Sequence, residues 1–562
     1  MTKRNQLLQK GLFPETLPPC FDSTDLVRAL GGKIRDLRSA KFTKRRSASY
    51  IRYNGTKHDG NRRPYSTPNP IPYFHVAEFI SKNWEEITDK YDNSNYSVSS
   101  PKAAKETDDR AIKIASLSEL ATKTSKQIRY APYILKTDIA KFFPSIYTHT
   151  IPWVAHGIEI SKSDTKYDST GNRFNELDYH IQQCQRGQTR GVLIGPDAFR
   201  VVAEFIVADI DQQLEVEVGK KIIGAVRHVD DYYIGVESEI DAGIVLSKLR
   251  ELLQNYDLHV NDSKTKVMIG LEPIDDLWAQ KLRSIKLRAR EGLTPFPGLG
   301  FLNPIEIEKI NELLDSAFKI STETGTESPI KLALRKLDNA HCYEFENWTE
   351  LEPKLQRILH HYPHCIDYVL LLVVKRFALE KTIDIDGWSK SAQILIQKNI
   401  GYNNHHELTW LLWFMFVCKL EVPETLIENL SKLTNSHIRA ILVAAYMEKL
   451  CPFKPNIKFS NKLETTDEDW LLNLVARSTG FTKAKFKGAF SHEFEHMALK
   501  KVKLFNFKKH IEFVAEENSP AISKTKYGYD DEDFEEEDEF EGDPFDDDID
   551  AQMADALRRD NT

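Results

Sequence analysis

Apolar and polar positions divide the 562-residue chain into three stretches. From residue 1 to 305, short apolar runs bounded by Gly and Pro alternate with longer runs of helical period, which predicts an α+β unit. From 306 to 515, apolar residues recur at three- and four-residue spacing, as in YVLLLVVKRFALE and ELTWLLWFMFVCKLE. Polar breaks such as NIGYNN and KLTNSH separate these segments, and the pattern predicts an all-α domain of stacked helical hairpins without a strict repeat. Residues 516–562 form a tail whose run YDDEDFEEEDEFEGDPFDDDID cannot bury enough apolar surface to fold. The last stretch, AQMADALRRD, suits a short helix formed on binding.

Within the first stretch, Tyr133-Ile-Leu-Lys-Thr-Asp138 reads as a short strand ending in an acid. About ninety residues later, two β-rich runs flank Asp230-Asp231, which predicts a hairpin with acids at its turn. Adjacent carboxylates in an apolar hairpin repel and lose hydration, so a cation is needed to hold them charged. A third carboxylate on a neighbouring strand end completes a hard, oxygen-rich set suited to Mg²⁺. Turn acids are common, so the pair alone is a weak signal.

Charge changes the picture more than composition does. The net charge is −8, but residues 530–550 hold 15 acids and no Lys or Arg, which leaves +7 for the rest. Lys41, Lys44, Arg45, Arg46, Arg52, Lys57, Arg62 and Arg63 fall within 23 residues with one acid, Asp59, and with Tyr50, Tyr53 and Tyr65 nearby. Such a stretch suits a phosphate backbone; the acidic tail reads first as a solubilising disordered segment, next as a nucleic-acid mimic that covers the basic cleft, and then as a docking strip for a basic partner. The six cysteines are scattered without a CxxC pair, which argues against a disulfide framework or zinc ribbon. No apolar run is long enough for a signal peptide or a membrane span, so a soluble cytoplasmic protein is expected.

The order of motifs resembles the reverse transcriptase palm. Asp138 matches the first acid of motif A, and Gln188-Thr-Arg-Gly191-Val-Leu-Ile-Gly195-Pro196 matches motif B. His228-Val-Asp230-Asp231 matches the YxDD box, and Asn261-Asp-Ser-Lys264-Thr265 matches motif D. Upstream, Arg62-Arg63-Pro-Tyr-Ser-Thr-Pro68-Asn69-Pro70 resembles the fingers motif that contacts the triphosphate. The resemblance implies a right-hand polymerase, fingers and palm in 1–305, using two Mg²⁺ ions or Mn²⁺. Asp138, Ile139, Asp230 and Asp231 would hold the metals, with Asp138 and Asp230 bridging them. Lys264 would protonate the leaving pyrophosphate. Arg63, Phe143, Arg190 and Gly191 would contact the nucleotide. Phe143, five residues after Asp138, places an aromatic face against a ribose 2′-hydroxyl and so favours deoxynucleotides. Two departures stand out: His228 replaces the Tyr of YxDD, and Thr189-Arg190 replaces the usual Pro-Gln. Both positions normally touch primer, template or nucleotide, and His228 is the expected primer or template grip.

The form FFPSIYTHTIPW after Asp138, and GPDAFRVVAEFIVADID after motif B, resemble bacterial defence-associated reverse transcriptases of the abortive-infection AbiK and AbiA types. In that family a helical repeat domain follows the polymerase. Several members make DNA without a conventional template, prime from a protein hydroxyl and assemble as oligomers, and others use a noncoding RNA. The partners implied are therefore dNTPs, nucleic acid, and a second copy or companion defence protein, with no membrane. Two alternatives stand beside this reading: a template-copying enzyme of retron or mobile-intron type, and a degenerate polymerase that only binds nucleic acid. The cluster His360, His361, His364 and Cys365 fits a helix end better than zinc. Trp410, Trp413 and Phe414 read as core, and His405-His406 as a helix start.

Overall fold

The computed structural model describes residues 2–30, 46–106, 108–114, 117–272, 277–287, 307–344 and 347–517. Lys41, Lys44 and Arg45, the boundary at residue 305, the acidic run and AQMADALRRD lie outside the described residues.

Among the described residues, six strands of four or more residues organise the first half. We label them β1 (Ile51–Thr56), β2 (Arg62–Thr67), β3 (Tyr133–Asp138), β4 (Ile222–His228), β5 (Asp231–Val236) and β6 (Lys266–Ile269). β1 and β2 form an antiparallel hairpin, with Tyr53 opposite Tyr65. The other four make one antiparallel sheet in the order β4-β5-β3-β6. Gly224 in β4 lets the chain pass close over this sheet, because a Cβ there would stand 2.0 Å from the carbonyl oxygen of Gln127. Helix Glu239–Asn255 packs on β3 and β5, and helix Asp197–Val218 packs on it in turn. Ser238 caps the first of these by accepting from the Asp241 N–H, and Glu239 and Asp241 favour the positive end of its dipole.

The Pro-Asn-Pro of the fingers motif ends β2 and starts the next helix. Asn69 is buried and accepts from the Ile71 N–H, and Pro70 opens helix Pro70–Lys82.

From Ile307 to Glu517 the described chain is mostly helical. The breaks NIGYNN and KLTNSH coincide with Asn403 in the left-handed region (φ 54°) and with the Asn435 cap of helix Ser436–Met447. Two three-residue strands, Lys462–Glu464 and Lys485–Lys487, pair in parallel, an addition to the expected helices. Helix His405–Val417 is buried from His406 on and is apolar all round from Trp410 on, with Trp410, Trp413 and Phe414 in the core. His360 and His361 end a helix, and Pro363–Cys365 form a short 3₁₀ turn.

The buried core runs continuously from Leu7 to Phe507. The helical half grips the β1–β2 hairpin directly. The Tyr53 hydroxyl and His406 Nδ1 lie 2.7 Å apart, Thr67 Oγ1 and His437 Nε2 2.9 Å apart, and Asn435 donates to the Arg52 carbonyl. The expectation that Tyr53 and Tyr65 line a phosphate-binding surface is corrected here: cross-strand pairing turns both into the core, where they are buried. Arg46 is likewise committed, to Glu493 at 2.6 Å.

Candidate functional site

Strand register brings two of the predicted acids together. Asp138, the last residue of β3, lies directly opposite Asp231, the first of β5, and Asp231 also pairs with His228 of β4. Register partners share a face of a sheet, so Asp138, Asp231 and His228 share one face and Arg227 and Tyr232 share the other. A two-residue turn, Val229-Asp230, joins β4 to β5, with Val229 at φ 51°. That conformation is unfavourable for a β-branched residue, and the surroundings fix it. The Val229 N–H donates to Ser99 Oγ at 2.7 Å, and its carbonyl accepts from Arg227 Nη1 at 2.8 Å.

Asp138 is 5% exposed. Its Oδ2 lies 3.0 Å from Lys264 Nζ, whereas its Oδ1 is buried and has no hydrogen-bond partner among the described residues. Motif D is docked to deliver this contact: the Asn261 N–H donates to the Asp138 carbonyl, and Thr265 Oγ1 bonds Thr137 Oγ1 at 2.7 Å. A buried carboxylate oxygen without a partner is costly, and a divalent cation would relieve it. The all-oxygen donor set of Asp138, Asp230 and Asp231 suits Mg²⁺. Ile139 can add only its main-chain carbonyl; its N–H donates to the Asp230 carbonyl, which ties the two strand ends together. Among the described residues no group of three or more His, Cys, Asp or Glu side chains is placed to hold a metal ion, and the Lys264 ammonium lies at Asp138.

Phe143 follows Lys141, which takes φ 48° to turn the chain out of the strand. Phe142 enters the core, and Phe143 packs edge-on against it at 5.4 Å, half-buried. Motif B runs alongside: the Val192 N–H donates to the Phe143 carbonyl and the Gly191 N–H to the Ile146 carbonyl. Gly191 has φ 84°, and a Cβ there would meet the Pro144 carbonyl oxygen at 3.1 Å, so glycine suits this close approach. Arg190 is 62% exposed and lies 3.0 Å from Asp257.

Arg62, the neighbour of the predicted triphosphate contact Arg63, is engaged by a distant helix. Arg62 makes a bidentate pair with Glu407, two bonds of 2.8 Å, and also donates to Thr56. Its neighbour Arg63 projects to the opposite face of the hairpin. Arg62 is therefore a structural link between the two halves.

Sequence reasoning missed the support behind the acids. Arg227 is fully buried, donates to both carboxylate oxygens of Glu204, and bonds Asp211. The Tyr232 hydroxyl donates to Asp211 at 2.7 Å. Burial opposes the guanidinium charge, but Asp211 and Glu204 outweigh it and hold its pKa well above the ordinary value. Burial and then Asp211 push the Tyr232 phenol well up. The available signal was Glu204 and Asp211 seven residues apart on helix Asp197–Val218, which places both on one face.

Residues 56–301 match the family model for reverse transcriptase (RNA-dependent DNA polymerase). The chain therefore carries a reverse transcriptase domain, and this domain indicates an RNA-directed DNA polymerase-type nucleotidyltransferase. No curated protein matches the chain significantly. Among solved structures, apo telomerase from Candida tropicalis is similar at 12% identity and TM-score 0.30, over 66% of this chain and 69% of that one. Telomerase from Candida albicans in complex with a TWJ fragment of telomeric RNA is similar at 12% identity and TM-score 0.28, over 67% of each chain. A Candida tropicalis telomerase truncated from its C-terminal domain is similar at 15% identity and TM-score 0.28, over 42% of this chain; the chain spans 52% of that protein's length. No helix among the described residues is long and apolar enough to cross a membrane.

Proposed function

We propose that this chain is an antiphage DNA polymerase that joins deoxynucleotides to a hydroxyl and releases pyrophosphate. The observation that carries the chemistry is the register of Asp138 against Asp231, with a buried, unpartnered Asp138 oxygen beside Lys264. Mg²⁺ held by Asp138, Asp230, Asp231 and the Ile139 carbonyl would activate the attacking hydroxyl and neutralise charge on the leaving pyrophosphate. The chain's own residues do the rest. Phe143, fixed between Phe142 and the motif B backbone, sterically opposes a ribose 2′-hydroxyl. Gly191 brings main chain close to the nucleotide. Arg63 draws the triphosphate toward the fingers hairpin. Lys264 is placed at Asp138 to give a proton to the departing phosphate. His228 and Arg190, in place of the usual residues, adapt the grip on primer and template.

The defence role rests on the resemblance of FFPSIYTHTIPW and GPDAFRVVAEFIVADID to the abortive-infection family, joined to the mostly helical chain from Ile307 on. In this reading synthesis proceeds without a conventional template, primed by a protein hydroxyl or guided by a noncoding RNA. The test is incorporation of labelled dNTPs by purified protein with Mg²⁺, with and without added template. The product is then sequenced and treated with protease. Template-independent product that shifts on proteolysis supports the proposal. Strict dependence on an added RNA template, with product complementary to it, favours the retron or mobile-intron reading instead.

A further inference from the structure

Residues 146–153, just beyond the nucleotide site, invert the usual rule of burial. Ile146, Thr148, Thr150 and Ile151 are buried, while the aromatic residues between and after them, Tyr147, His149 and Trp153, remain partly exposed. Core formation would place the rings inside and the threonines outside. The three rings form one cluster: Tyr147 meets His149 edge-on at 4.8 Å and Trp153 at 5.8 Å. The cluster is rigidly held. His149 Nδ1 lies 2.5 Å from the buried Asp178 carboxylate, which Gln182 also donates to. Thr148 donates its N–H to the Thr189 carbonyl, and Tyr147 bridges to Arg190, so the rings flank motif B.

Positive charge borders the rings. Exposed Lys162 lies 5.7 Å from the Trp153 ring centre. Arg190 pairs with Asp257, a half-exposed partner that a phosphate can displace because solvent screens such pairs. The hydrogen bond that His149 donates to the Asp178 carboxylate raises the His149 pKa, which favours its cationic form. Partly exposed rings with cations at their border match the chemistry of an unpaired nucleic-acid strand, whose bases stack while its phosphates meet charge.

We propose that Tyr147, His149 and Trp153 form a stacking platform for a single-stranded nucleic acid lying beside the polymerase site, with Lys162 and Arg190 meeting its phosphates. The proposal rests on the polymerase reading for its biological setting. Its test is separable: anisotropy of a labelled oligothymidine with the full chain, comparing wild type, Trp153→Ala, Trp153→Phe and Lys162→Ala. Trp153→Ala is expected to weaken binding about tenfold or more, the loss of one stacked base. Trp153→Phe, which keeps a ring, is expected to stay within about threefold of wild type. Ultraviolet crosslinking of iodouracil-substituted oligonucleotide is expected to map to Trp153 or Tyr147. Wild-type affinity in Trp153→Ala, or crosslinks confined to other regions, overturns the platform. Should Trp153→Ala not fold, Trp153→Phe and the crosslink position decide. Tight oligothymidine binding through Trp153 without any dNTP incorporation by wild type supports the platform while refuting the polymerase reading. Incorporation with unaltered binding in Trp153→Ala refutes the platform alone.

Discussion

The two faces of the β4–β5 hairpin each carry carboxylates, and they are neutralised in different ways. Behind the sheet, Glu204 and Asp211 surround Arg227, a cation built into the chain, fully buried and fixed by hydrogen bonds. On the front, Asp138 shares a face with Asp231, and the cation on it is the half-exposed Lys264, with one Asp138 oxygen left unpartnered. The rear cluster supplies its own charge balance and so serves structure, holding the Val229 carbonyl and with it the strained turn. The front cluster keeps one buried Asp138 oxygen without a partner among the described residues, which suits a metal-dependent site.

The comparison predicts opposite outcomes for substitutions on the two faces. Asp138→Asn or Asp231→Asn is expected to lower dNTP incorporation by about three orders of magnitude or more while leaving the melting temperature within a few degrees of wild type. Large unfolding by either substitution would break the distinction. Arg227→Met, by contrast, leaves Glu204 and Asp211 buried without their cation and is expected to cost about 3–5 kcal/mol in denaturant unfolding. An Arg227→Met protein as stable as wild type would show that the rear cluster is not structural.

A further carboxylate, apart from both clusters, sharpens the rule. Glu327 sits where the helical half meets the β1–β2 hairpin, accepting from the His364 N–H and donating its own N–H to the His58 carbonyl. Burial, with Glu407 adding to it, raises its pKa from 4.5 to about 7, against the pull of Lys331 and Arg62. A buried acid without an adequate cation thus protonates. The folded state holds this proton more tightly than the unfolded chain, so its contribution is complete below pH 4.5 and is lost as pH rises through about 7. Glu327→Gln should therefore remove up to about 3 kcal/mol of stability loss between pH 4.5 and 7, read by urea unfolding across that range. The buried histidines act in the opposite sense. Burial lowers His405 to about 4, and His437 and His510 to about 3, so their contribution is lost as pH falls below 6.5. Only the difference between wild type and Glu327→Gln isolates the acid, and parallel pH profiles would contradict its assignment. The smallest expected effect is that of Lys264→Ala, about a hundredfold in the incorporation rate with stability little changed, because the lysine is half exposed.

Much of this was legible in the residues. The strand ending at Asp138 and the hairpin turn at Asp230 follow from apolar runs and spacing, and the Asn-rich helix breaks from capping chemistry. What could not be read depended on partners distant in the chain. Arg62 and Arg63 are equivalent in sequence until Glu407, on a helix of the other half, engages one of them. The Lys264–Asp138 contact needs the docking of Asn261 and Thr265 on β3. The burial of Tyr53 and Tyr65 was within reach, since the two fall opposite each other in an antiparallel hairpin and turn to the same side.

The most direct test of the front site is Mn²⁺ binding followed by electron paramagnetic resonance on the full chain, comparing wild type with Asp138→Asn, Asp230→Asn and Asp231→Asn. The account predicts that wild type depletes the free Mn²⁺ signal at concentrations where each variant leaves it largely intact, with all four proteins folded. Equal Mn²⁺ binding by wild type and all three variants would contradict it.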